Sequence, residues 1–206
     1  MKSLLFLFTL TYSFSFSQKK TEQSITIDAS LSYLVLSLDN VFNIKLSSTT
    51  NNKLKIKTIS EGEYANHFIL SNKQVNNTLH ISGEIGFTFP NNQDKLSAHK
   101  VHAINVEFLI PEYLNTSVSS DIGNIEIEGD FHRLSTNSQS GNCYLNNVFG
   151  DFIIKTINGD INLNTNKRLI NTNTKIGTIS ESVLTDGKSN FLLKTAKGNI
   201  NIVKSE

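Results

Sequence analysis

Two carboxylates two residues apart, Glu126 and Glu128, stand in one short stretch with Asp121 and Asp130 on either side. Paired acids suit the cleavage of glycosidic bonds, where one protonates the leaving oxygen and the other acts as base or nucleophile. On a strand, residues i and i+2 share a face, so Glu126 and Glu128 would project together. The chain does not repeat the pair, because the positions 18 residues further on hold Tyr144 and Asn146. A solvated acidic rim that discourages pairing at a strand edge accounts for these residues without chemistry. No catalytic residue is assigned and the reading is non-enzymatic; a polysaccharide lyase or hydrolase is the alternative these acids keep open.

The other reactive types give less. Of the five histidines, His67, His80, His99, His102 and His132, only His99 and His102 are close in sequence. Three apart on a strand they would point to opposite faces, so no metal site is expected. No glycine-rich phosphate loop, nucleophile elbow or calcium-binding repeat occurs, and no cofactor is implied. Cys143 is the one cysteine, which excludes an intramolecular disulfide; it falls at an apolar position of the repeat described next and reads as a small buried hydrophobe.

These residues sit on a repeat that must position them. Glycines stand at Gly123, Gly141, Gly159, Gly177 and Gly198, at intervals of 18, 18, 18 and 21 residues. Three residues before each comes a hydroxyl: Ser120, Ser138, Thr156, Thr174 and Thr195. One residue after comes a small polar side chain: Asn124, Asn142, Asp160, Thr178 and Asn199. Two after come Ile125, Cys143, Ile161, Ile179 and Ile200, and four after Ile127, Leu145, Leu163, Glu181 and Ile202. Positions two and four share the apolar face of a short strand, and position three faces out. The outward set, Glu126, Tyr144, Asn162, Ser180 and Asn201, is mostly polar and forms the candidate binding face. Glycine permits the corner, and the Ser, Thr, Asn and Asp side chains can complete it through backbone bonds.

One such unit cannot bury its apolar face alone, but stacking successive units about 4.8 Å apart does so and sets like residues in columns. This predicts an all-β fold, a parallel β-solenoid with rungs of about 18 residues over 111–206. The three extra residues before Gly198 predict a bulge around Asp186-Gly187-Lys188. An antiparallel sandwich with Asn158-Gly159 as a hairpin turn is the competing reading. Residues 18–110 also read as short strands but lack the strict period. They are expected to form irregular rungs or a sheet covering the solenoid's first edge. Within this part, Phe87, Phe89, Asn91 and Asn92 offer aromatics beside amides and form a candidate binding loop.

Residues 1–17 read as a cleaved export signal: Lys2, the apolar run Leu4 to Leu10, and Ser15-Phe16-Ser17 before the cut. The run is too short for a membrane span, and no transmembrane segment is expected after cleavage. Of 206 residues, 19 are Lys or Arg and 18 are Asp or Glu; removing Lys2 leaves 18 against 18. A neutral protein has no general pull on nucleic acid, although it can still carry local patches.

The segments Ser120-Asp121-Ile122-Gly123-Asn124-Ile125-Glu126-Ile127, Thr156-Ile157-Asn158-Gly159-Asp160-Ile161-Asn162-Leu163 and Thr195-Ala196-Lys197-Gly198-Asn199-Ile200-Asn201-Ile202 carry a resemblance. Together with Phe108-Leu109-Ile110-Pro111 upstream, they are similar to the bacterial putative-adhesin family, also described as auto-transporter adhesin head-like domains. Cys143 and the segment Lys175-Ile176-Gly177-Thr178 depart from its pattern. The resemblance implies a right-handed β-helix, a location in the periplasm, at the cell surface or outside the cell, and no catalytic residues. The expected function is binding to a protein or glycan partner, with self-association through a terminal rung as the alternative.

Overall fold

A computed structural model of the chain describes residues 18–62, 67–86, 103–165, 167–181 and 185–204. The export signal 1–17, the loop with Phe87, Phe89, Asn91 and Asn92, and His99 and His102 lie outside the described residues.

The described residues are all-β, with no helix. The strands are β1 (Gln18–Thr26), β2 (Tyr33–Leu38), β3 (Asn43–Thr49), β4 (Lys53–Glu61), β5 (Phe68–Val75), β6 (Thr78–Ile85), β7 (Ala103–Pro111) and β8 (Asn115–Ser120). Then follow β9 (Asn124–Ser140), β10 (Cys143–Asn158), β11 (Ile161–Asn164), β12 (Lys167–Ile176), β13 (Ile179–Glu181), β14 (Thr185–Lys197) and β15 (Ile200–Val203). All pair into one mixed sheet that does not close. The N-terminal half consists of short strands, as expected, and β5 runs on to a hairpin turn at Asn76-Asn77. Asn76 takes φ 54° there, a conformation asparagine tolerates.

The pairing forms two ladders. The first runs β1-β4-β7-β3-β9-β10-β11-β15-β13. The second runs β5-β6-β2-β8-β9-β10-β14-β12. The long strands β9 and β10 belong to both: Ile125–Glu128 pair with Cys143–Asn146 in the first, and Arg133–Ser140 with Asp151–Asn158 in the second. Alternation sends every other residue of each ladder into one core cluster, including Ile125, Cys143, Ile161 and Ile200 from the first and Leu134, Phe152, Leu193 and Phe191 from the second. Cys143 is fully buried, as its column required.

The corner columns have definite work. The Asn142 N–H donates to Asn124 Oδ1 (3.0 Å), the Asp160 N–H to Asn142 Oδ1 (2.8 Å), the Asn199 N–H to Asp160 Oδ1 (2.7 Å) and the Thr178 N–H to Asn199 Oδ1 (2.9 Å). Thr156, Thr195 and Thr174 donate from Oγ1 to the carbonyls of Gly141, Gly159 and Gly198 in the adjoining tier. Ser120 and Ser138 instead bond carbonyls two residues on, those of Ile122 and Ser140. A Cβ on Gly141 would lie 1.9 Å from the Gly123 carbonyl oxygen, and one on Gly159 2.0 Å from that of Gly141, so the tiers stack too closely for any other residue. The 158–159 segment is a corner between parallel neighbours, and the hairpin alternative does not hold at that point.

The order of tiers corrects one expectation. Successive repeats were expected to lie one on the next in chain order, but the glycine column runs Gly123, Gly141, Gly159, Gly198, Gly177. β14 and β15 enter between the tier of β10 and β11 and that of β12 and β13. Packing gives the reason: Phe152 and Phe191 stack at 5.2 Å and 10°, a contact Ile170 could not make. The displaced repeat becomes the edge, where Ile179 is 45% exposed and Glu181 occupies a column otherwise filled by Ile127, Leu145, Leu163 and Ile202. A charge in that column is tolerable because the edge leaves Glu181 exposed. The terminal rung is therefore not the last strand in sequence. The extra residues before Gly198 are accommodated as expected: Arg168 pairs with Asp186 and Leu169 with Asn190, leaving residues 187–189 bulged from β14.

The other end repeats the device. β2 and β3 lie between the β6/β7 tier and the β8/β9 tier, and β4, β1 and β5 then extend the ladders antiparallel.

Candidate binding face

The outward residues of the first ladder align across the sheet in one row. In spatial order it reads Glu22, Lys57, Glu107, Lys45, Glu126, Tyr144, Asn162, Asn201 and Ser180. The structure thus brings together all five residues expected to form a binding face, with Ser180 at the edge beyond Asn201. Asn201 Nδ2 donates to Asn162 Oδ1 (3.0 Å), and Asn142 Nδ2 to the Tyr144 hydroxyl (3.2 Å). This uncharged stretch is a flat strip of amides and a phenol, spaced by the strand separation of about 4.8 Å.

The charged half of the row was missed in the sequence because its strands lie outside the 18-residue period. The signal was local alternation: Lys45 stands between Ile44 and Leu46, and Glu107 between Val106 and Phe108. Opposite charges alternate along it. Lys57 Nζ lies 2.8 Å from Glu107 Oε1, and Lys45 Nζ 3.1 Å from Glu128 Oε1. A shallow groove of about 570 Å³ crosses this half, over Lys45, Ser47, Lys55, Lys57, Glu107 and Glu128.

Glu126 and Glu128 do project together from β9, both exposed. Glu128 accepts from Ser47 Oγ at 2.9 Å, and this bond and Lys45 hold its carboxyl below the usual carboxylate range. A glycosidase general acid needs the reverse, a carboxyl raised towards neutrality. His80 stands exposed on β6 and His132 on β9, and no three His, Cys, Asp or Glu side chains converge as metal ligands among the described residues. No helix among the described residues is long and apolar enough to cross a membrane.

No family model and no curated protein sequence matches the chain. Solved structures do. A putative cell adhesion protein from Clostridium sporogenes superposes with a TM-score of 0.52 at 14% identity, over 91% of this chain and 100% of that one. A putative adhesin from Bacteroides fragilis matches with a TM-score of 0.43 at 15% identity, over 91% of this chain and 98% of that one. The first of these shares the overall fold of this chain.

Proposed function

We propose that this is an exported, non-enzymatic, adhesin-like module of the bacterial cell envelope that binds a protein or glycan partner through Glu126, Tyr144, Asn162, Asn201 and Ser180. On this reading residues 1–17 are the export signal, and 18–110 and 111–206 are the irregular and regular parts of one right-handed parallel β-helix. The parallel, in-register ladders and the fold shared with a protein described as a cell adhesion protein support it. The observation that carries the site is the continuous strip Tyr144–Asn162–Asn201, which is in register, flat and uncharged, with its two amides hydrogen-bonded to each other. Phenol and amides at strand spacing can meet either peptide groups or sugar hydroxyls.

Binding of the purified protein to intact bacterial cells and to a glycan panel tests this, using Tyr144→Ala/Asn162→Ala/Asn201→Ala as the variant. A loss of about tenfold or more is expected with Tm unchanged, as for removal of a central contact cluster. Full binding by a folded triple variant would overturn the assignment.

A further inference from the structure

The outer face of the second ladder carries a charge arrangement that does nothing for stability. Its outward residues over β9, β10, β14 and β12 fall in rows. One row contains Asn137, Lys155, Lys194 and Asn173; the next towards the strand starts contains Ser135, Ile153, Leu192 and Asn171. A third holds Arg133, Asp151 and Asn190. Lys155 and Lys194 are direct neighbours on adjacent parallel strands, about 4.8 Å apart at the backbone, and both are exposed. Lys175 is exposed on the adjoining edge strand.

Like charges in register repel. Among the described residues, none of these three lysines has a carboxylate within ion-pair distance. Among the outward residues of 133–139, 151–157, 190–196 and 171–175, the carboxylate is Asp151, and it is already engaged by Arg133 (3.7 Å) and by Asn190 Nδ2 (2.7 Å). Beside the lysines runs a shallow groove of about 450 Å³, with half-buried Ile153 and Leu192 along it and Asn171, Asn190 and the Arg133–Asp151 pair at its sides.

We infer that this face is a docking site for a linear anionic polysaccharide. Lys155, Lys194 and Lys175 supply the countercharge for carboxylate, sulfate or phosphate groups along such a chain. Ile153 and Leu192 offer an apolar floor to the flat faces of sugar rings, and Asn137, Asn171 and Asn190 offer both donors and acceptors to hydroxyls. Tiers about 4.8 Å apart approximate the length of one sugar ring, so a chain crossing the strands meets an equivalent position at each tier. A membrane surface fits less well, because none of these outward residues is aromatic and Ile157 is the one half-exposed large apolar side chain among them. The site is on the other ladder from the Tyr144–Asn162–Asn201 strip, and either can fail without the other.

The test is calorimetric titration of the full chain with sodium alginate, a linear polyuronate, with neutral dextran, phosphatidylglycerol vesicles and single-stranded DNA in parallel arms. Alginate binding that weakens with salt is expected, with about tenfold weaker affinity for Lys155→Gln/Lys194→Gln and no change for Lys45→Gln/Lys57→Gln. The first variant should retain or raise Tm, so a loss cannot be attributed to unfolding. No binding to alginate at low salt would overturn the inference, as would an equal loss in both variants. Vesicle binding without alginate binding would replace the glycan by a membrane, and DNA binding as tight as alginate binding would reduce the face to an unselective polyanion site; both reject the assignment.

Discussion

The two outer faces of the molecule use lysine in opposite ways. On the first ladder Lys57 and Lys45 alternate with Glu22, Glu107 and Glu126 along a row, and each lysine makes a short ion pair. On the second, Lys155 sits beside Lys194 with Lys175 nearby, and no ion pair is formed by any of them among the described residues. Both faces stand on the same core and the same tier spacing, so architecture does not account for the difference. Cross-strand neighbours of opposite charge stabilise a sheet, and like neighbours destabilise it. The first pattern reads as charge satisfied within the fold, and the second as charge left for a ligand.

The largest test of the comparison removes the scaffold that holds the faces back to back. Gly159→Ala places a Cβ about 2.0 Å from the Gly141 carbonyl oxygen. The tiers must separate, and a loss of about 3 kcal/mol or more, or failure to fold, is expected. Cys143 reports it: burial pushes its thiol up to about 12, so a thiol reagent at pH 8 should label the wild type only after denaturation and the variant readily. Next in size is Phe152→Ala, beneath the basic face. It removes the ring stacked on Phe191 and edge-on to Phe131 at 6.1 Å, and should cost about 3–5 kcal/mol by urea unfolding. If it instead cost no more than a surface change, the tier order given by that stack would be wrong.

That tier order marks the limit of what the sequence made legible. The glycine, hydroxyl, amide and apolar columns were readable because each repeat solves the same corner problem with the same residues. The outward strip from Glu126 to Asn201 followed from strand alternation alone. The exchange of the Gly177 and Gly198 tiers did not, because period and phase are the same in either order. The traces were present as departures from pattern: Glu181 in an apolar column, Thr178 for asparagine, and an extra three residues at 187–189. These read as degeneracy in sequence and as an edge in the structure. The charged half of the first row and the lysine pair of the second were also missed. Their meaning depends on which strands become neighbours, and Lys45 and Glu107 are 62 residues apart in the chain yet in register.

Charge reversal sharpens the comparison further, because the two faces should respond with opposite sign. Lys57→Glu puts a third acid in register between Glu22 and Glu107, and should lower stability by about 0.5–1 kcal/mol. Lys194→Glu gives Lys155 an opposite neighbour and should raise stability by about 0.3–1 kcal/mol while weakening alginate binding. Matching signs in urea unfolding would show that the two rows are electrostatically alike.

The smallest effect is the pH dependence of the first face. The Ser47 hydroxyl, and after it Lys45, hold Glu128 below its ordinary carboxyl value of 4.5. A lowered carboxyl binds its proton less readily in the folded state than in the unfolded one. Its contribution is therefore fully present above the unfolded value and is lost as pH falls through the folded value. Glu128→Gln should flatten that part of the acid limb and leave Tm at neutral pH almost unchanged, since the side chain is half exposed and the pair contributes under about 0.5 kcal/mol. Ser47→Ala should flatten it partly, because the hydroxyl is the larger of the two causes. Lys155→Gln, on the opposite face, should leave the acid limb where it is. A shift there as large as that from Glu128→Gln would mean that the second face holds an acid partner for its lysines, and its charge would no longer call for a ligand.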